Sequence, residues 1–448
     1  MTDQGNAREI VLEMLLEVIE GDKFSHTVLG QTLRKHQTMS KQERSFISHL
    51  FNGTVKRYLT LDYVINQYAS LPVAKMKPLI RNVLRMSVYQ LMFMDQVPVS
   101  AVCDEAVKLT KKRGFGKLSG FVNGILRNIT RGLSEITYPD KGKAPADYLE
   151  VVYSTPAWLV KELLALYSFD TVELMLAATL KEKETTIRCN AKKVTPEQLK
   201  VFLEQEGVTV KESEYLPYAF QIKDYDYLDK LETFRNGYFT VQDVSSMLVS
   251  EVAGITEKDY VIDVCAAPGG KALHAAQTAV KVLARDLTEY KKKLIEENIT
   301  RMGFTNVETE VWDATVLDEK LIGSADVVIA DLPCSGIGVL GKKSDIKYKL
   351  TQNQHKELIG LQRVILENVE KYVKPGGIFI YSTCTVTKGE NEENRNWLLK
   401  NHSFVPVSLD EHLPEQLRGV TTKEGYLQLL QGVQNTDGFF IAKFRKEG

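Results

Sequence analysis

Apolar positions near the start of the chain recur at helical spacing. Ile10, Leu12, Leu15, Leu16 and Ile19 gather on one face of an amphipathic helix. Ser40 and Glu43 form a capping-box start for a helix carrying Phe46, Ile47 and Leu50. The same periodicity predicts helices over 61–68, 77–94, 100–112 and 117–131, interrupted by Pro98 and by Lys-Lys-Arg-Gly-Phe-Gly at 111–116. Residues 1–136 therefore read as an all-α domain. The stretch 137–150 places prolines and a glycine between charges and reads as a linker. Ser154-Thr155-Pro156 then opens a helix over 156–168.

Beyond this point the period shortens. Thr186–Cys189, Val208–Val210 and Ala219–Ile222 are β-rich runs, with a helix over 196–206 among them. Residues 151–240 are expected to form a small α+β domain. From 241 to 448, apolar runs alternate with helical stretches. The runs are 260–264, 281–284, 307–312, 326–330, 377–381 and 438–443, with a helix over 354–373. Strands separated by helices imply an α/β, Rossmann-like domain with a mostly parallel sheet.

Composition narrows the class. A chain of 448 residues exceeds one ordinary core, and 44% hydrophobic with 26% charged residues describes a multidomain globular protein. No apolar run approaches the roughly 18 residues of a membrane span. Met1–Gly5 lacks a basic stretch leading into an apolar one, so secretion is not expected. Five scattered cysteines suit a reducing cytoplasm rather than a disulfide framework. The net charge of −1 conceals an asymmetry, since residues 1–136 hold 19 Lys and Arg against 12 Asp and Glu. Within them, 51–136 hold 13 against 5, a bias that charge alone reads equally as a polyanion-binding end or an ordinary solvated face.

Candidate chemistry concentrates at strand ends. Cys265-Ala266-Ala267-Pro268-Gly269-Gly270-Lys271 follows a buried strand, and its glycines let a ligand approach the backbone. It is not G-x-G-x-x-G, so pyrophosphate is a poor fit. Asp286 ends the next strand, where a carboxylate accepts ribose hydroxyls. Asp313 follows a third strand, where an acid would face an adenine amino group, and Asp331 ends the fourth. Singly, each acid reads as a cap or surface group; together with the turn they describe a nucleoside site.

Cys334 and Cys384 lie beyond the fourth and fifth strands, on the same edge of a parallel sheet. Two thiols there suggest covalent chemistry, because the thiolate is the nucleophile. Cys103 and Cys189, and Cys265 in part, read as small buried hydrophobes. With no Cys-x-x-Cys pair and scattered histidines, no metal site is expected. Carbon 5 of cytosine becomes nucleophilic once a thiolate adds at carbon 6. A second group must then help remove the carbon 5 proton and release the thiol. Asp331 is a candidate to hold a proton near ring nitrogen 3. The residues alone leave open which cysteine attacks.

At these positions the chain resembles a known family. The runs 265–271, Asp-Leu-Pro-Cys-Ser at 331–335 and Ser-Thr-Cys-Thr at 382–385 are similar to motifs of RNA cytosine-5 methyltransferases. So are Gln242-Asp243, Glu390-Asn391-Glu392 and Asp437-Gly438-Phe439-Phe440. The helical front, notably Phe121-Val122-Asn123-Gly124-Ile125-Leu126-Arg127, resembles the NusB fold. That pairing is similar to the bacterial ribosomal small-subunit methyltransferase B family over essentially the whole chain. The resemblance implies a class I methyltransferase domain, with Cys384 as nucleophile and Cys334 assisting release. It also implies that residues 265–271, Asp286, Asp313 and Asp331 bind S-adenosylmethionine. The implied substrate is cytosine 967 of 16S rRNA, in free or partly assembled small subunits, methylated by a cytoplasmic monomer without metal or membrane.

Two positions depart from the family pattern. Gly341, Lys342, Ser344 and Asp345 stand where two arginines and a Pro-Asp are usual, in a loop expected to contact RNA. Arg285 precedes Asp286 where an apolar residue is common. The rivals are a DNA cytosine-5 methyltransferase attacking through Cys334, a NusB-like RNA-binding assembly factor, and the same chemistry on tRNA or 23S rRNA.

Overall fold

The computed structural model describes residues 6–448, so the reading made for Met1–Gly5 lies outside the described residues. The chain forms two compact units: Met1–Glu182 with Leu340–Leu350, and Lys183–Val339 with Thr351–Gly448.

The first unit is helical, as the periodicity predicted. Its principal helices are Ala7–Ile19, Lys41–Lys56, Tyr58–Tyr68, Pro78–Phe93, Val99–Lys112 and Ser119–Arg131. The Ser40/Glu43 capping box is present, with Ser40 Oγ accepting from the Glu43 N–H at 3.2 Å. Leu12, Leu15, Phe51, Leu61, Val83 and Leu126 pack in one core, where each buried side chain stabilises the fold by about 1.5–3 kcal/mol.

Three features of this unit differ from expectation. The helix Ser25–Lys35 was not expected; it is mostly polar and buries only Ser25 and Val28. The expected linker ends in the helix Pro145–Val152, which starts from a proline and buries Leu149. That helix is tied to Tyr58–Tyr68, since the Thr60 hydroxyl donates to the Val151 carbonyl at 2.6 Å. Finally, Leu340–Leu350 is part of this unit. Asp345, 2% exposed, accepts from the Ser25 N–H at 3.0 Å and the Ser25 hydroxyl at 2.5 Å. The segment expected to be an RNA-contacting loop thus buries Ser344 and Asp345 within the helical unit.

The second unit holds two sheets. The smaller contains β1 (Thr185–Cys189), β2 (Thr209–Glu212), β3 (Ala219–Lys223) and β4 (Phe239–Val241), in antiparallel order β2-β3-β1-β4. The helix Pro196–Gln205 covers it with a Thr195/Gln198 capping box. Arg301 joins it to the larger sheet by donating to the carbonyls of Phe234 and Phe239 at 3.0 and 2.9 Å.

The larger sheet comprises β5 (Tyr260–Asp263), β6 (Lys281–Asp286), β7 (Val307–Val311), β8 (Ala325–Asp331), β9 (Val373–Thr383), β10 (Phe404–Pro406), β11 (Tyr426–Leu429) and β12 (Phe439–Lys446). Its order is β10-β12-β9-β8-β5-β6-β7, with β11 also pairing β12. β5 to β9 are parallel, whereas β12 runs antiparallel to β9. Alternate residues serve two cores: Ile262, Val328 and Phe379 enter one, Val261, Ile329 and Ile380 the other. Helices therefore cover both faces. The strand order reverses at β5, and ligands of such sheets bind at that switch, beyond the carboxyl ends.

Candidate active site

β5 delivers the glycine turn to the switch point. Gly269 has φ +108°, a conformation that only glycine adopts readily. Gly270 starts the helix Gly270–Ala275, whose first amide groups stand without intrahelical partners. Asp286, at the end of β6, braces the turn. Its Oδ2 accepts from the Ala267 N–H at 2.9 Å, and its Oδ1 from Leu287 N–H at 2.7 Å and Lys291 Nζ at 2.8 Å. Each carboxylate oxygen has two lone pairs, so one on Oδ2 remains for a hydroxyl donor.

Asp313 is exposed, and its Oδ1 accepts from the N–H and hydroxyl of Thr315 at 2.9 and 2.7 Å. These bonds hold its carboxyl below the usual range. Arg285 is buried behind this edge, where it pairs with Glu310 at 2.5 Å and Asp318 at 2.6 Å and lies over Trp312. The unusual charge in β6 is thus matched by two acids and supports the loop that carries Asp313.

Asp263 lies within the apolar run 260–264. It is fully buried at the end of β5, and among the described residues its Oδ2 has no hydrogen-bond partner. Burial pushes its pKa up to about 7, with Lys271 opposing. An unpartnered acid beside a glycine turn suits a cationic ligand. The available signal was an acid closing an otherwise apolar run. Cys265, next to it, is held protonated by burial and by Asp263, Asp286 and Asp331.

Lys271, grouped with the cofactor turn in the sequence, reaches Asp331 at the end of β8, with Nζ 2.6 Å from Oδ2. Asp331 Oδ1 accepts from the Ser382 hydroxyl at 2.8 Å, which binds the ends of β8 and β9 together. Burial opposes charge on Lys271, yet Asp331, Asp263 and Cys384 raise its pKa, so the ammonium is retained.

Cys334 follows β8 and Cys384 follows β9, and their Sγ atoms lie 3.2 Å apart. The loops interlock. Gly338 N–H donates to the Cys384 carbonyl at 3.0 Å, and Gly438 N–H to the Gly338 carbonyl at 2.9 Å. A Cβ on Gly338 would lie 1.9 Å from the Gly438 carbonyl oxygen. The Cys384 thiol beside it and burial push the Cys334 thiol well up, while Lys271 interacts with Cys384. An ammonium near a thiol favours the thiolate. The arrangement offers one thiol placed to carry charge, one placed to carry a proton, and an acid–ammonium pair beside them.

Cys103 and Cys189 are buried away from this edge, and burial raises both, Cys189 to about 12. No group of three or more candidate metal ligands occurs among the described residues, and no helix among them is long and apolar enough to cross a membrane.

Family models locate these features. One described as 16S rRNA methyltransferase RsmB/F matches residues 252–445. The NusB family matches 5–131, and an RsmF/B-like ferredoxin-like domain matches 155–226. The chain is 33% identical over 449 residues to the probable ribosomal RNA small subunit methyltransferase B of Bacillus subtilis (strain 168), covering 99% of each. It is 28% identical over 450 residues to the ribosomal RNA small subunit methyltransferase B of Serratia proteamaculans (strain 568), covering 100% of each. The crystal structure of PH0851 is similar with a TM-score of 0.82 at 27% identity, over 100% of this chain and 99% of that one.

Proposed function

We propose, from the premise that this chain belongs to the 16S rRNA methyltransferase RsmB/F family, that it methylates carbon 5 of a cytosine in 16S rRNA. The observation that carries this reading is the pair of thiols 3.2 Å apart beside the Lys271–Asp331 ion pair. When bound, S-adenosylmethionine supplies a methyl group on a sulfonium. The residues at the switch point suit it: Asp263, buried behind the turn, offers negative charge to a cation once ionised, and Asp286 Oδ2 keeps one lone pair for a ribose hydroxyl. Asp313 would meet the adenine amino group, and 265–271 would line the cofactor.

Cys384 is the nucleophile. Lys271 favours its thiolate, which adds to carbon 6 of the cytosine. The Asp331–Lys271 pair is placed to hold a proton, carried by the Lys271 ammonium, towards ring nitrogen 3, so that the electron pair moves to carbon 5 and takes the methyl group. Loss of the carbon 5 proton to a base then restores the ring and expels Cys384. Cys334 assists this second half, its raised pKa suiting a thiol that keeps its proton until the leaving sulfur needs one. The base must leave any stack to reach these groups. The basic helical unit supplies sequence-independent phosphate contacts.

The test is covalent trapping on RNA containing 5-fluorocytosine, followed by peptide mapping. An adduct on Cys384, absent from Cys384→Ala and retained by Cys334→Ala, is expected. An adduct on Cys334 that survives Cys384→Ala would overturn the assignment in favour of the DNA-enzyme order. Mapping 5-methylcytosine with and without the protein tests the substrate. Loss at position 967 of 16S rRNA is expected, and loss confined to tRNA or 23S rRNA would sink that part.

A further inference from the structure

Glu390 and Asn391 follow the Cys384 loop directly, at the start of the helix Glu392–Asn401. Both are buried, at 0% and 1% exposure. Glu390 holds the Cys334 loop and also meets Thr387 beyond Cys384, whereas Asn391 holds the residues on either side of Cys384. Glu390 Oε1 accepts from the Ser335 N–H at 2.8 Å, and Oε2 from the Ser335 hydroxyl at 2.6 Å. On the other flank of Cys334, Gln362 Nε2 donates both to Glu390 Oε1 and to the Pro333 carbonyl, each at 3.0 Å. Thr387 and His355 complete the shell at 2.9 and 3.0 Å. One carboxylate therefore holds the backbone on both sides of Cys334.

Asn391 does the same for Cys384. Its Oδ1 accepts from the Thr383 hydroxyl at 2.5 Å, and its Nδ2 donates to the Thr385 carbonyl at 3.1 Å. Gln428 Oε1 fixes that amide from behind at 2.7 Å. A cross-link joins the two shells, between the Ser335 and Thr385 hydroxyls at 2.7 Å. Because the carboxylate of Glu390 only accepts, the Ser335 proton points to it and Thr385 must donate across the link.

We infer that Glu390 and Asn391 are separate positioning residues, Glu390 for the thiol that assists release and Asn391 for the thiol that attacks. The inference rests on the roles proposed for Cys334 and Cys384. Its physical basis is that adjacent residues on one turn hold two loops in register, so that each sulfur is set by its own partner. Displacing a reacting atom by about 1 Å costs up to about a hundredfold in rate, and removing either clamp should exact such a cost on one step only.

Two rates separate the arms: trapping on 5-fluorocytosine RNA reads attack, and turnover on ordinary RNA reads attack and release. In Glu390→Gln, trapping should stay within about twofold of wild type. Turnover should fall by about ten- to a hundredfold, with the protein–RNA adduct accumulating on ordinary cytosine. In Asn391→Ala, trapping itself should fall by a similar factor and no adduct should accumulate. Gln362→Met and Thr383→Val, close in size to the residues they replace, carry the two arms if the first variants do not fold. Both pairs slowing the same step, or all four leaving turnover unchanged, would overturn the inference. Absence of trapping by the wild-type enzyme would instead remove the covalent reading beneath it.

Discussion

At the scale of single residues, charge state is set by what each group is buried against. Asp263 and Asp331 end neighbouring strands, yet Asp331 meets an ammonium at 2.6 Å while Asp263 keeps one oxygen without a partner. The consequence is a dependence of stability on pH. Asp263 has its pKa raised to about 7 from 3.8, so the folded state holds a proton that the unfolded state has released. Its stabilising contribution is full below the ordinary carboxylate range and is lost as pH rises through about 7. Asp263→Asn should remove that slope: its melting temperature should gain on wild type between pH 4 and pH 8 (about the interval of titration). The same variant should bind S-adenosylmethionine more weakly in calorimetry at pH 8, where the wild-type Asp263 is ionised and the cation loses that counter-charge. A variant with wild-type slope and wild-type affinity would refute both statements.

At the scale of elements, the site depends on loops that meet rather than on any one motif. Gly338 lies where the chain after β8 passes over Cys384 and Gly438, with no room for a side chain. Gly338→Ala should shift the loops apart, lowering stability by about 1–3 kcal/mol and single-turnover methylation by up to about a hundredfold. Thermal unfolding and a rapid-quench assay check the two parts, and full activity would show that the loops accommodate the methyl group. Elements with a strong period were legible in the sequence: the helix Ala7–Ile19 and strands β5, β6 and β8 fall where apolar spacing put them. Those that bury few apolar residues were not. Ser25–Lys35 buries too little to announce itself, and β10 pairs only through three residues at the edge of the sheet. The stretch 341–345 is expected to be an RNA-contacting loop from its place in the family pattern, but its Asp345 accepts from the Ser25 N–H at the start of Ser25–Lys35, a partner some 320 positions away.

At the scale of the whole molecule, a NusB-like helical domain, a ferredoxin-like domain and a methyltransferase domain occur in one chain. The helical part concentrates positive charge, and on the helix Ser119–Arg131 the exposed positions Gly120, Gly124, Arg127 and Arg131 follow one another along a face. RNA binding should weaken steeply with salt, with a slope of about 0.7–0.9 per phosphate contact. Replacing Arg127 and Arg131 by Gln should lower that slope by up to about two without altering single-turnover methylation at saturating RNA. An unchanged slope would place the phosphate contacts elsewhere.

The sequence by itself determined the class of each domain, the glycine turn, the acids at three strand ends and the two cysteines. These are properties of local spacing and residue chemistry, and spacing is preserved along the chain. Only the tertiary structure decided that the two sulfurs lie 3.2 Å apart, that Lys271 turns to Asp331, that Asp263 is buried with an unmet oxygen, and that Glu390 and Asn391 each grip one cysteine loop. Those facts depend on which strands become neighbours and how closely their loops pack. Residues 50 positions apart, as Cys334 and Cys384 are, acquire a shared environment only when a parallel sheet brings their strands side by side.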